Sequence, residues 1–334
     1  MLERLDARAT PWDMLVIGGG ATGLGIAVDA AARGYDVALI EKYDFAKGTS
    51  SRSTKLIHGG VRYLQQGNVG LVMEALRERG ILRHNAPHLV HDLPFLVPNY
   101  EWWESPFYGI GLKVYDMLAG KYGFGRSRTL SKKETVERIP TIETDQLRGS
   151  TIYFDGQFDD ARLAIHLAIT AAQQGAAIAN YLGAVALLKD DAGLVKGAVA
   201  RDYETSTEVE IHARVVINAT GPFSDEIRRL DSPTAKPIIA PSQGVHIVLD
   251  RSFLAGDAAI MVPRTTDGRV MFAIPWHHCV LVGTTDTPID AATPEPCAHD
   301  EEIDFILETA GRYLEPSPTR ADVRSVFTGV RPLV

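Results

Sequence analysis

The stretch TSSRSTKLIHGGVRY, residues 49–63, gathers Thr49, Ser50, Ser51, Ser53 and Thr54 with an adjacent pair, Gly59 and Gly60, and several basic side chains. No helical or strand period organises it, so something polar must be held there. The second chemical signal is GGGATG, in which Gly18, Gly20 and Gly23 follow the GxGxxG pattern. The first glycine permits a tight turn, the second lets backbone approach a pyrophosphate, and the third packs helix against strand. Glu41 falls eighteen residues beyond Gly23, where a carboxylate can accept hydrogen bonds from ribose hydroxyls. Together they indicate dinucleotide binding, although this fingerprint does not separate NAD from FAD.

The elements that must position these groups are readable around them. Residues 13–17, DMLVI, form an apolar strand, Ala21 to Arg33 an alanine-rich helix closed by Gly34, and 36–40 a second strand ending at Glu41. Strand, turn, helix and strand make a βαβ unit and require a parallel sheet. Helices are expected over 68–85, ended by Pro87, and over 161–174, with Asp159 and Asp160 at its start. Strands are expected at 178–182, 185–188 and 213–219, the last stopped by Thr220-Gly221-Pro222. From about residue 236 the texture changes to short strands broken by glycine or proline, which implies antiparallel sheet. The dinucleotide domain is therefore expected to be discontinuous.

The chain has 334 residues, a formal net charge of −8 and 45% hydrophobic residues, enough for a substantial core. An acidic balance without a basic tract argues against nucleic-acid binding. Cys279 and Cys297 alone provide no disulfide framework, which suits the cytoplasm. No segment reads as a membrane span or signal peptide. Residues 93–125 concentrate Trp102, Trp103, Phe107, Tyr108, Tyr115 and Tyr122, a mixture suited either to a lipid interface or to the core of a second domain. Metal binding is not expected: Pro87 interrupts His84, His88 and His91, and adjacent His277 and His278 would point to opposite faces of a strand.

VVINATG at 215–221 resembles the later strand and turn that complete the flavin site in the D-amino-acid-oxidase superfamily, which favours FAD. Within it, the chain closely resembles the FAD-dependent glycerol-3-phosphate dehydrogenases. The resemblance is carried by TSSRSTKLIHGGVRYLQ, YFDGQFDDARL, NATGPFSD, QGVHIVLD, FAIPWHHCVLVGTTD and SVFTGVRPL. Phe223 departs from the tryptophan more usual there; an aromatic is kept, which reads as packing.

The resemblance implies an α/β fold: a Rossmann-like FAD-binding domain of the glutathione-reductase type, residues 12–92 and 157–235, with a discontinuous antiparallel-sheet substrate domain, 93–156 and 236–330. It assigns FAD contacts to Gly18, Gly19, Gly20, Ala21, Thr22, Gly23, Glu41, Lys42, Thr49, Ser50, Ser51, Thr54, Leu56, His58, Gly59, Gly60, Val185, Ala219 and Gly221. The hydroxyls of the 49–54 stretch would meet the diphosphate and ribityl chain, and Gly59 and Gly60 would let backbone lie against the flavin ring. Arg62 and Tyr63 would project into the substrate cavity, His246 would accept the proton of the C2 hydroxyl, and Arg331 would bind substrate oxygens.

The implied reaction is oxidation of sn-glycerol 3-phosphate to dihydroxyacetone phosphate by hydride transfer from C2 to flavin N5, with electrons passed to a membrane quinone. The alternatives are an oxidase of another small 2-hydroxy or amino acid, or a fragment without turnover. The last arises because the family continues past GVRPL with a segment that adds flavin and phosphate contacts, so weak FAD binding and poor turnover are expected. The resemblance further implies peripheral attachment to the inner face of the cytoplasmic membrane and allows a homodimer.

Overall fold

The computed structural model of the chain describes residues 4, 5, 8 and 10–334, without the side chains of Arg62 and Gln65. Its strands are β1 (Trp12–Ile17), β2 (Val37–Ile40), β3 (Leu56–Ile57), β4 (Val90–Asn99), β5 (Arg128–Ser131), β6 (Gly149–Phe158), β7 (Ala177–Ala179), β8 (Leu182–Lys189), β9 (Val195–Asp202), β10 (Glu208–Asn218), β11 (Ala240–Asp250), β12 (Ala259–Val262), β13 (Met271–Trp276), β14 (Cys279–Gly283), β15 (Thr287–Pro288) and β16 (Ser325–Leu333).

Six of them form one sheet in the order β7-β2-β1-β10-β9-β8. Pairing is parallel from β7 to β10, as the βαβ reading requires, and antiparallel across β9 and β8. Alternation of side chains places Val16, Val37 and Leu39 on one face and Leu15, Ile17, Ala38 and Ile40 on the other. The first face packs against Leu24, Ala27 and Ala31 of helix Ala21–Ala32 and against Ala164, Ala168 and Ala171 of helix Asp160–Gln173. Alanine at these positions lets helix approach strand closely.

The second sheet runs β15-β11-β14-β13-β12-β4-β6-β3, with β16 added to β11 and β5 to β6. It is antiparallel except where β12 meets β4. One face carries Val245, Ile247, Ile260 and Val282 against Ile306 and Ala310 of helix Asp300–Gly311. The other carries Phe95, Tyr153, Ile274 and Leu281 against helices Val69–Asn85 and Glu104–Ala119. The expected α/β architecture with its Rossmann-like sheet is thus observed, and the second sheet is mixed by one parallel pair.

Residues 93–125 divide between core and surface, because strand β4 leads into helix Glu104–Ala119. Its inner face sends Leu112, Tyr115 and Ala119 into the core, while Ile110 and Met117 stay 67% and 74% exposed, beside exposed Trp102, Trp103 and Phe107. The 49–57 segment leaves the first sheet and joins the second as β3, so it bridges the two layers.

Candidate functional site

The glycine turn is fixed by close contacts that no side chain could survive. Gly18 has φ +115°, and a Cβ there would lie 2.5 Å from the Ala219 carbonyl oxygen; one on Gly23 would lie 1.9 Å from that of Gly18. Helix Ala21–Ala32 then begins after Gly20, which has no side chain to cap it, and carries no acidic residue in its first turn, so that past the Ala21 amide, met by Ser50, its first amides have no side-chain cap from Gly20. An uncapped helix start presents amides and the positive end of the helix dipole, which suits an anion. Glu41 closes the opposite side: its carboxylate accepts from the amides of Gly19 at 2.6 Å and Tyr43 at 2.7 Å.

Between them lies a cleft of about 440 Å³ lined by Gly18, Gly20, Thr22, Glu41, Lys42, Thr49, Ser50, Ala219 and Gly221 among others. Nine of the expected coenzyme residues therefore share one space. Gly183 and Ala184 line it, but Val185 does not. The hydroxyls of the loop divide their work. Ser50 Oγ accepts from the Ala21 amide at 2.9 Å, Thr49 Oγ1 donates to the Val330 carbonyl at 2.6 Å, Ser53 Oγ donates to Asp160 at 2.7 Å, and Thr54 Oγ1 pairs with His246 Nε2 at 2.9 Å. Several of these groups shape the loop as well as facing the cleft. Lys55, at φ +62°, adds an ion pair to the buried Asp160 at 2.6 Å and anchors the bend.

A second cavity of about 230 Å³ is lined by Leu56, His58, Gly60, Tyr63, Asp155, Arg269, Asp286 and Arg331 over an apolar floor that includes Phe95, Met261 and Phe272. Arg331 is held by Asp286 at 3.0 Å, the Thr285 carbonyl at 2.9 Å and Thr284 Oγ1 at 3.1 Å. Burial draws its pKa below the ordinary guanidinium value, with Asp286 opposing, and it remains a cation. The Gly60 amide donates to His58 Nδ1 at 3.0 Å, which leaves the proton of the neutral ring on Nε2. Arg331 lines this cavity and the next residue, Pro332, lines the cleft, so one step along β16 separates the two spaces.

Of the four residues expected to act on substrate, Tyr63 and Arg331 line the cavity together. His246 lies close to Arg331 but beneath the surface: it is 2% exposed, stacks on Phe327 and does not line the cavity. Burial, then the nearby Arg331 and Lys55, pulls its pKa down to about 3, so the ring is neutral, and its Nδ1 has no partner among the described residues. The Arg62 side chain lies outside the described residues. Gly59 lines neither space; a Cβ there would meet Leu76 and the Tyr115 hydroxyl at 2.5 Å, so packing already forbids a side chain at this position. Arg269, in the turn before β13, was not foreshadowed by any motif. Among the described residues, no group of three His, Cys, Asp or Glu could hold a metal.

The donor set fits a flavin dinucleotide: uncapped amides and hydroxyls for a diphosphate, a carboxylate for a ribose, and glycines that a Cβ would block. Residues 13–334 match the FAD dependent oxidoreductase (DAO) family. The chain belongs to that family, whose cofactor is FAD. It is 47% identical over 337 residues to the mitochondrial glycerol-3-phosphate dehydrogenase of Macaca fascicularis, covering 97% of this chain and 46% of the relative. Against the corresponding Saccharomyces cerevisiae protein it is 45% identical over 366 residues, covering 100% of this chain and 56% of the relative. Among solved structures, the glycerol-3-phosphate dehydrogenase from Bacillus halodurans complexed with FAD matches with a TM-score of 0.81 at 35% identity, covering 99% of this chain and 58% of that one. The chain spans about half the length of the curated relatives it matches.

Proposed function

We propose that the chain carries out FAD-dependent oxidation of sn-glycerol 3-phosphate to dihydroxyacetone phosphate. The observation that carries this reading is the adjacency of a dinucleotide-shaped cleft to a small cavity holding a half-buried guanidinium, joined at Arg331-Pro332. The names of the relatives supply the substrate.

FAD bound in the cleft would supply the two-electron acceptor for the hydride leaving C2. The amides at the start of helix Ala21–Ala32, with Ser50, would hold its diphosphate, and Glu41 its ribose. Arg331, with Arg62, would hold the phosphoryl group by paired hydrogen bonds that a lysine cannot form. His58, with its proton on Nε2, is a donor to a substrate oxygen. His246 would accept the hydroxyl proton, its Nε2 meeting the Thr54 hydroxyl at 2.9 Å; the low pKa that burial gives the ring works against this role. The apolar floor excludes water from the reacting carbon.

Electrons would leave for a quinone, with the exposed apolar side of helix Glu104–Ala119 resting on the inner face of the cytoplasmic membrane. No helix among the described residues is long and apolar enough to cross it. Anaerobic bleaching of the flavin tests the assignment. Glycerol 3-phosphate should bleach it while lactate, 2-hydroxyglutarate and glycine do not; bleaching by one of those instead would replace the substrate.

A further inference from the structure

We propose that Tyr115 is a positioning residue for the turn at 58–63: its hydroxyl holds the Gly59 amide and thereby sets His58 and Tyr63 against the cavity. The inference rests on the reading of that cavity as the substrate's. Gly59 N donates to Tyr115 Oη at 2.7 Å, and Tyr115 Oη donates to Asp155 Oδ2 at 2.8 Å. Asp155 is in turn ion-paired with Arg79, which also donates to the carbonyls of Phe154 at 3.4 Å and Tyr122 at 3.2 Å.

The direction of this chain is dictated by chemistry. A carboxylate only accepts, so the single phenolic proton must go to Asp155, and a lone pair is left for the Gly59 N–H. Burial, with Asp155 beside it, pushes the Tyr115 phenol well above its usual range, which keeps that proton in place.

Tyr115, Asp155 and Arg79 are no more than 2% exposed. A buried ion pair is poor value as a source of stability, because desolvation offsets the attraction. It is well suited to fixing one orientation. Here it fixes the acceptor for a tyrosine that reaches up from helix Glu104–Ala119 into the turn. Asp155 itself lines the cavity, so the same network bounds the ligand space from below while holding the turn that bounds it from the side. From Gly59 the constraint passes along the chain: Gly60 turns it at φ +69°, and the Tyr63 amide donates back to the Gly60 carbonyl at 2.8 Å.

The test is hydrogen–deuterium exchange resolved at Gly59, which needs neither flavin nor substrate. In the unmodified protein this amide should exchange slowly although it lies outside any strand. In Tyr115→Phe, which keeps the ring, it should exchange roughly three- to tenfold faster. Tyr153→Phe, which removes an equally buried hydroxyl bonded elsewhere, should leave that amide unchanged. With FAD bound, Tyr115→Phe should lower kcat/KM for glycerol 3-phosphate about tenfold at unchanged flavin content. An unprotected Gly59 amide in the unmodified protein would overturn the proposal, even if Tyr115→Phe fails to fold. Equal acceleration by both substitutions would overturn it too. Failure of glycerol 3-phosphate to bleach the flavin, with Gly59 exchange as expected, would instead reject the substrate assignment.

Discussion

The imidazole of His246 lies flat on the ring of Phe327, with centroids 4.9 Å apart and planes 10° from parallel. The two residues face each other across β11 and β16, so this contact reinforces the backbone pairing of the strand that carries Arg331. A neutral ring suits that stack, and a charged one would be both desolvated and close to Arg331 and Lys55.

A pH dependence of stability follows. The folded ring takes up its proton only near pH 3, whereas an unfolded histidine does so near 6.5. Between those values the unfolded state binds more protons, so the stability contributed by the neutral ring is complete above pH 6.5 and is lost as pH falls toward 3. The difference in unfolding free energy between the unmodified protein and His246→Phe should therefore shrink with falling pH, approaching about 1.4 kcal/mol per pH unit. Denaturant titrations from pH 7 to 4.5 check it; a constant difference would mean that the folded ring titrates like the unfolded one.

Arg331→Met should raise KM for glycerol 3-phosphate roughly ten- to a hundredfold, the scale of a lost charge-assisted hydrogen bond. Arg331→Lys should recover only part of this, because an ammonium is a point charge without the planar fork. Steady-state kinetics with flavin content matched decide it. An unchanged KM in Arg331→Met would leave the arginine with only its structural partners, Asp286 and the Thr284 and Thr285 groups.

Glu41→Ala removes the acceptor opposite the glycine turn and releases the amides of Gly19 and Tyr43. The dissociation constant for FAD, read by quenching of flavin fluorescence, should rise by about tenfold or more. Equal affinity in the two proteins would show that the ribose lies elsewhere.

Trp102 and Trp103 are 74% and 44% exposed at the start of helix Glu104–Ala119. High-salt washing of membranes should leave the unmodified protein bound, whereas Trp102→Ser combined with Trp103→Ser should release it without lowering the melting temperature. Full recovery of the unmodified protein in the soluble fraction would count against lipid contact.

The parts of the fold that obey local rules were readable in advance. The turn at Gly18–Gly23 and the strands flanking it follow from backbone sterics and period alone, and the structure places Glu41 at the cleft as its spacing indicates. Long-range partners were not readable. Nothing local marks Asp155 as the partner of Arg79, 76 residues away, or brings Arg269 to the cavity beside Arg331. The depth of His246 escaped for the same reason: QGVHI alternates as a strand should, but which neighbour covers each face depends on β16, remote in the chain. The aromatic stretch at 93–125 left core and surface undivided in the sequence, since its inward and outward residues separate only once the helix is formed.

The position of the substrate's phosphorus atom in a crystal structure with FAD and glycerol 3-phosphate bound tests the central claim most directly. The coenzyme's diphosphate is expected over the start of helix Ala21–Ala32, with the phosphorus in the cavity within hydrogen-bonding reach of Arg331. A diphosphate away from the glycine turn, or a phosphorus outside that cavity, would contradict it.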